Sequence, residues 1–564
     1  MGDKETIKGK HGNELDKYLT RITPFGFSGA VLVAKNRKVI LNKGYERAIR
    51  EKDIHNTAET VFSVGSLTKQ FTATAILKLE MQGRLNTHDY ISKYVDNVRA
   101  DKEGVTIHHM LTHTAGVINY TGDDYEIAYR DETIQKILDS PLLFSPGEHY
   151  EYSNAGYSLL AAIIEIVSGQ PYEEYLNENL YKPIGMAFTG YRIPNWDERV
   201  VANWYVGETN NGKPLEKPYP YWNLLGNGGI LSTTKDMYKW YLALKGNSIL
   251  SADARKKLFT PFLENYAYGW GVSKTESGTL IQHGGASDLG SSAEFKWFVD
   301  CDTVIILFCN QSYGQAPLTL YVRDKIQKLA FGEKVALPPE IPKRDFAPSR
   351  RFEGIYKLPT GGYLKVSTEA STLKLTTKGQ DAIDMVFSPE QDEAFHYSDL
   401  NHAAVVLLES AIRGNYSDLR RMVEDKKTMG RKRRFISTLL NRLESPKKDI
   451  EVIGTFPHWR EEDVMETIVQ LQGEKKRTVL GLFWRKGKLW GFPVDTNRPF
   501  ILLRPVSGWM FAGYHLGLAK TARVSFNVNN SGFTVRLTIY RKKGNVIAHR
   551  VEKSKEDHED RNVL

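Results

Sequence analysis

Apolar positions fall into two textures along the chain. Residues 28–34 (Ser-Gly-Ala-Val-Leu-Val-Ala) and 38–45 read as paired strands, with Asn36-Arg37 in the turn between them. From Thr68 to Gln82, Phe71, Ala75 and Leu79, joined by Ile76 and Leu77, predict a buried helix with Gly83 where a C-terminal cap belongs. Residues 155–168 predict a second, strongly apolar helix. The stretches 291–299 and 303–309 read as buried strands, and 316–331 as an amphipathic closing helix. Strands at both ends with helices between them predict one α/β (α+β) layered domain over residues 1–334, its ends meeting in the sheet.

The texture then breaks. Pro338, Pro339, Pro342 and Pro348 punctuate a stretch without periodicity, a linker at 335–350. Beyond it come short alternating strands at 352–357, 363–368 and 372–377. Helical spacing returns from about 403 to 443, and strands resume at 450–455, 465–472, 477–484 and 488–493. The last stretch, 500–551, again reads as short strands. No internal repeat or low-complexity segment interrupts this order.

Composition excludes several classes. Of 564 residues 41% are hydrophobic and 25% charged, ordinary globular usage that rules out a mostly disordered or collagen-like chain. No stretch reaches the ~18 apolar residues of a membrane-spanning helix, so a soluble chain without a transmembrane segment is expected. The two cysteines, Cys301 and Cys309, cannot build a disulfide framework and read as buried thiols of one strand. Charge is uneven. Up to residue 340 the chain carries 37 Lys and Arg against 40 Asp and Glu; from 341 onward the counts are 39 and 27. The basic excess, densest at Arg431-Lys432-Arg433-Arg434 and Arg541-Lys542-Lys543, reads as solvated faces or turns, and no nucleic-acid partner is expected. The N-terminus shows no signal-peptide core. It formally matches the short N-myristoylation pattern through Gly2 and Thr6. Either a cytoplasmic protein or a mature exported form fits.

Candidate chemistry begins at Ser66-Leu67-Thr68-Lys69, which opens the first buried helix. Three residues are nearly one helical turn, so Lys69 projects on the side of Ser66 and can reach its hydroxyl. A serine hydroxyl is a weak nucleophile until a neighbouring base takes its proton. The helix start also supplies positive potential and leaves the Ser66 backbone N–H for an oxyanion. Tyr152-Ser153-Asn154 stands just before the second apolar helix. Tyr152 is placed to share proton traffic with Lys69, and Asn154 to orient Lys69 and hold a substrate carbonyl. His283-Gly284-Gly285-Ala286 lies between the strands at 278–282 and 291–299. Its glycines let a substrate lie close, the Ala286 N–H is a second oxyanion donor, and His283 is a polar handle in the cleft.

These three boxes, in this order, resemble the active-site boxes of the serine β-lactamase/penicillin-binding-protein-like family, nearest its class C β-lactamase, D-aminopeptidase and family VIII esterase branch. Residues 107–116, 227–233 and 268–271 agree with the same pattern. The resemblance implies a five-stranded-type antiparallel sheet flanked by helices, plus an all-helical region, and a cofactor-free, metal-free acyl-enzyme mechanism. It makes Ser66 the nucleophile, gives Lys69 and Tyr152 the base and acid roles in an order left open, and has Asn154, His283 and Gly285 bind substrate. The segment of His113 and Thr114 is a structural turn in that family. No catalytic role is therefore expected for His113, nor for His108 or His109.

One departure matters. β-Lactamases and transpeptidases of this family carry Lys-Thr-Gly where this chain has His283-Gly284-Gly285, so recognition of a substrate carboxylate should be poor. The expected activity is hydrolysis of small esters or short amides, D-residue-containing ones included. A β-lactamase or D,D-carboxypeptidase is the first alternative, and a non-catalytic binding protein with this fold the second. Phe352-Glu353-Gly354-Ile355-Tyr356 resembles the first strand of the lipocalin-like β-barrel appended to many such hydrolases. On that reading 351–400 and 495–552 form the barrel and 401–494 an α+β insertion similar to the cone of the nuclear-transport-factor-like fold; the alternative is one irregular all-β domain carrying two helices. Such barrels wall the cleft or build homo-oligomers, the two roles expected here.

Overall fold

The unbroken apolar runs near residues 30 and 305 pair with each other at the centre of one sheet, as strands buried on both faces should. The computed structural model describes residues 5–551 apart from positions 218 and 543 and the segments 314–316, 343–349, 370–371, 388–396, 424–428, 442–449, 459–462, 474–476, 492–493 and 496–498. Met1-Gly2, Pro348 of the linker and Lys543 of the second basic run therefore lie outside the described residues. The chain divides into two compact units. The first comprises Met1–Leu19, Phe27–Tyr313 and Pro317–Val335, and the second Thr20–Gly26, Gly314–Ala316 and Ala336–Leu564.

In chain order the first unit supplies β1 (Thr6–Ile7), α1 (Gly9–Ile22), β2 (Gly29–Lys35), β3 (Lys38–Tyr45), α2 (Thr68–Met81), α3 (Ile107–Leu111), α4 (Arg130–Asp139), α5 (Asn154–Ser168) and α6 (Thr234–Lys245). The sheet and its covering continue with β4 (Gly271–Thr275), β5 (Gly278–Ala286), β6 (Ser292–Phe298), β7 (Thr303–Cys309) and α7 (Leu318–Ala330), among shorter elements. The seven strands form one antiparallel sheet in the order β1-β3-β2-β7-β6-β5-β4. The five-stranded expectation covers its centre. The structure adds β1, two residues long and too short to show a period, and β4, whose Ser-Lys-Thr end is polar. Asn36 and Arg37 have φ of 48° and 60°, which is how a two-residue turn reverses the chain between β2 and β3.

Alternation along β6 shows the layers. Trp297 meets Tyr241 of α6, ring centroids 5.5 Å apart, whereas Glu294 and Lys296 take Arg323 and Gln327 of α7. Successive side chains point to opposite faces, so helices cover the sheet on both sides. α2 and α5 are buried along most of their lengths and pack in the main core, away from water on all sides. Cys309 is buried in β7 as expected. Cys301 instead sits half-buried in the turn before that strand, where the polar Asp300-Cys301-Asp302 run cannot continue a buried strand.

The second unit carries a closed eight-stranded barrel built from two stretches. β8 (Gly354–Lys357), β9 (Tyr363–Glu369) and β10 (Thr372–Lys378) come first. The helices α8 (Gln380–Val386), α9 (Tyr397–Ile412), α10 (Ser417–Met422) and α11 (Met429–Asn441) follow, with the strands β11 (Ile450–Pro457), β12 (Val464–Gln472), β13 (Arg477–Arg485), β14 (Lys488–Leu489) and β15 (Val494–Asp495) in a separate sheet. β16 (Phe500–Ser507), β17 (Met510–His515), β18 (Lys520–Val528), β19 (Thr534–Tyr540) and β20 (Val546–Arg550) complete the barrel, closing where Tyr356 pairs with Arg550. Within the first basic run, Lys432 is buried rather than solvated: its ammonium donates to the carbonyls of Leu489 and Trp490 at 3.0 and 2.8 Å.

Candidate active site

Ser66 sits in a 3-10 turn, Gly65–Leu67, that runs directly into α2. Thr68 ties this junction down: its hydroxyl donates to the Gly65 carbonyl at 2.8 Å and accepts from the Ile230 N–H at 3.2 Å. One turn further on, the fully buried Lys69 brings its Nζ to 3.2 Å from Ser66 Oγ. The same nitrogen donates to Asn154 Oδ1 and to the Asn227 carbonyl, each at 2.7 Å. Burial drives the Lys69 ammonium well below the usual lysine range, against the opposing pull of Asp124.

Asn154 is the first residue of α5. Ser153 caps that helix, accepting from the Gly156 N–H at 2.9 Å and donating to the Ile118 carbonyl at 2.6 Å. The Asn154 N–H donates to Asn119 Oδ1 at 3.0 Å, so the loop at 118–119 fixes the start of the helix. Tyr152, two residues earlier, lies with its ring centroid 4.7 Å from Lys69 Nζ. Burial raises its phenol above the ordinary tyrosine range, with the Ser66 hydroxyl acting in the other direction. Asp124 is pushed up to about 6 by burial, Lys69 opposing and Asp288 adding to the rise.

The His283 box lies inside β5, not between strands, because Gly284 and Gly285 keep full register with Glu294 and Ala293 of β6. Glycine is needed where the strand crosses the nucleophile turn. A Cβ on Gly285 would stand 2.2 Å from the Val64 carbonyl and 2.7 Å from the Ser66 nitrogen; one on Gly65, at φ 52°, would stand 2.7 Å from the Ala286 nitrogen. The backbone nitrogens of Ser66 and Ala286 thus come together at one spot. His283 has both ring nitrogens engaged within the protein. Nδ1–H donates to the Gly284 carbonyl at 2.7 Å and Nε2 accepts from the Tyr266 hydroxyl at 3.0 Å. Burial, with Lys69 nearby, pushes its imidazole down to about 4, so the ring is neutral.

The structure therefore brings Ser66, Lys69, Tyr152, Asn154, His283, Gly285 and Ala286 to one place. Two participants have no signature in residue type. The Asn227 carbonyl holds Lys69 through its backbone, and Tyr266 reaches His283 from outside the Tyr268-Gly269-Trp270-Gly271 segment. The Asn227-Gly228-Gly229 run was visible as a motif, but a main-chain acceptor is not read from a side chain. His108, by contrast, faces Tyr268, with Nδ1 2.8 Å from its hydroxyl, and His109 takes the Thr106 N–H as part of the cap of α3. Among the described residues no group of three or more His, Cys, Asp or Glu is arranged to hold a metal ion.

Known proteins share stretches of this sequence and its fold. The chain is 34% identical over 313 residues to the PbpX protein of Bacillus subtilis (strain 168), covering 54% of this chain and 76% of that one. It is 27% identical over 409 residues to penicillin-binding protein 4* of the same organism, covering 64% and 87%. The octameric penicillin-binding protein homologue from Pyrococcus abyssi, 20% identical, superposes over 95% of this chain and 99% of its own with a TM-score of 0.53, a likeness of fold. The family model described as Beta-lactamase matches residues 24–327, the stretch that carries every residue of the site, and the chain belongs to that family.

Proposed function

We propose that the chain is a serine hydrolase that forms an acyl-enzyme on Ser66 and cleaves small esters or short amides, D-residue-containing ones included. The observation that carries this reading is the set of partners around Lys69. A neutral amine has two N–H bonds and one lone pair. Asn154 Oδ1 and the Asn227 carbonyl, which can only accept, take the two N–H bonds, and the lone pair is left for Ser66 Oγ at 3.2 Å. Burial favours that neutral form. Lys69 then takes the hydroxyl proton as Ser66 Oγ attacks the substrate carbonyl carbon. The oxyanion is received by the N–H groups of Ser66 and Ala286. Tyr152, held as a phenol, donates to the leaving alcohol or amine and recovers its proton from the Lys69 ammonium, and water then hydrolyses the resulting ester.

The substrate class follows from charge. The neutral His283, occupied by Tyr266 and the Gly284 carbonyl, supplies no cation for a carboxylate, and Asp124 adds negative potential that acts on Lys69. Uncharged acyl groups are favoured over anionic ones such as β-lactams. The names of the curated relatives, both penicillin-binding proteins, make cell-wall substrates the competing reading. The test sets p-nitrophenyl acetate and butyrate, nitrocefin and D-alanyl-p-nitroanilide side by side. Esters or the D-alanyl amide should turn over fastest; nitrocefin far above them would reverse the order. Ser66→Ala should abolish all turnover with stability nearly unchanged. A fluorophosphonate adduct found by mass spectrometry on any other serine would overturn the mechanism.

A further inference from the structure

His113 lies outside the proton path just described, yet it touches the segment that carries Tyr152 at three points. Its backbone carbonyl accepts the Glu151 N–H at 2.9 Å, and its Nδ1 accepts the Ser153 N–H at 3.1 Å. Between those two bonds the imidazole lies against the Tyr152 ring, centroids 4.2 Å apart and planes 38° from parallel. The residues before and after Tyr152 are thus both anchored to one histidine, and the phenol between them rests on its ring. Tyr266 and Tyr157 close the other sides at 4.7 and 5.1 Å, and His113 is only 2% exposed.

The contacts also dictate the chemical state of the ring. A backbone N–H can only donate, so Nδ1 must present a lone pair, which puts the single ring proton on Nε2. Nε2 is buried and has no hydrogen-bond partner among the described residues. It is an orphan donor surrounded by tyrosine rings, kept at a cost by a residue whose other nitrogen is in use. The backbone is also held in the left-handed region, φ 58°, which histidine adopts more readily than most residues with a side chain but less readily than glycine. A turn needed only to reverse the chain is met more cheaply by glycine. This one retains an imidazole with an unsatisfied nitrogen, set against the Tyr152 ring.

We infer that His113 is a positioning residue for the reaction, a neutral imidazole that clamps Glu151-Tyr152-Ser153 and sets where the Tyr152 phenol stands relative to Ser66 and Lys69. This rests on the acid role proposed for Tyr152. Protonation of Nδ1 would turn the acceptor into a donor facing the Ser153 N–H and release the clamp. The charged or titratable groups facing the ring are Lys69, His283 and the tyrosines 150, 152, 157 and 266. Burial, first of all, holds the ring in the neutral state that the clamp requires.

Two variants separate the parts of the clamp while keeping the left-handed backbone. His113→Gly removes both acceptor and ring. His113→Asn places an amide oxygen where Nδ1 stands and suits φ near 58°. Acylation by p-nitrophenyl butyrate is measured per fluorophosphonate-labelled Ser66, with hydrogen exchange of the Ser153 amide followed in parallel. The glycine variant should lose about 10- to 100-fold in kcat with little change in KM, since substrate does not touch His113. Its Ser153 amide should lose protection, and the asparagine variant should recover both to within about fivefold. Equal rates per labelled serine in parent and glycine variant would overturn the positioning role. If His113→Gly does not fold, the asparagine variant carries the test: an unprotected Ser153 amide with parental kcat would overturn the clamp. Exchange at Ser153 does not depend on turnover. A parent chain inert toward every ester and amide would therefore sink the proposed reaction, while the exchange comparison would still decide the clamp.

Discussion

A buried lysine must either find a carboxylate or shed its proton, and among the described residues Lys69 forms an ion pair with none. Asp124 acts on it only through space, and that gives a signed prediction. Ionised Asp124 favours the ammonium, so Asp124→Asn should lower the Lys69 pKa and extend activity to lower pH. The acid limb of the kcat/KM profile should move toward acid; movement toward alkali would mean that Asp124 does not act on Lys69. The effect belongs to the range above about 6, where Asp124 is ionised. Lys69→Ala and Tyr152→Phe should each slow acylation by ~10²–10⁴. Sharing one proton path, they should combine far below the product of their single effects, and a double variant slowed by the full product would disprove the shared path. The site's side chains were legible because three residues make nearly a turn, so Ser66 and Lys69 declare themselves as a pair. The Asn227 carbonyl and Tyr266 were not, because the first acts through backbone and the second through a fold that brings β5 and the loop before β4 together.

At the scale of elements, a helix and a strand edge meet with no room for a side chain. Gly285 and its neighbour Gly284 form a built-in control. A Cβ on Gly285 would stand 2.2 Å from the Val64 carbonyl, but one on Gly284 would stand no nearer than 3.3 Å, from the Glu294 carboxylate, with the Ala293 carbonyl at 3.8 Å. Gly285→Ala should therefore cost about 1–3 kcal/mol of stability through overpacking. It should also slow acylation by about tenfold or more as the strand is pushed off the Ser66 turn. Gly284→Ala should leave both nearly unchanged; similar behaviour of the two in thermal melts and in ester turnover would refute the close crossing. The apolar runs of β2, β6, β7, α2 and α5 were readable because buried elements have unambiguous periods or none. The extent of β5 was not, since a Gly-Gly pair signals a break in sequence, and here it signals a crossing.

For the whole molecule, every residue of the site and the whole of its sheet lie between residues 6 and 309. A chain ending at Leu337 is expected to unfold cooperatively and to label Ser66 with a fluorophosphonate at a rate within about threefold of the full chain. Loss of labelling would show that the first unit is not self-sufficient. We propose size selection or self-assembly for the second unit. The truncated chain should accordingly change either in protomer count by light scattering or in its ratio of rates on short and long acyl esters. No change in either would exclude both roles. The change of texture after residue 335 was plain from the prolines and the reversal of charge. The return of the chain to the barrel at β16 is a pairing between residues 130 positions apart, Leu373 with Leu503, which no local pattern carries and which was expected only through the resemblance to a barrel appended to such hydrolases.

That split barrel has a consequence in time. Its first strand pairs with its last, Tyr356 against Arg550, so it cannot close until nearly the whole chain has been synthesised. At ribosomal rates of ~5–20 residues per second, β8 to β10 wait on the order of 10–30 s as an open three-stranded fragment with exposed edges. The sheet and helices encoded between β10 and β16 emerge during that interval. They are complete before the barrel can close, and their Ile453, Phe456 and Ile468 share a core with Leu373 and Leu375 of the waiting strands.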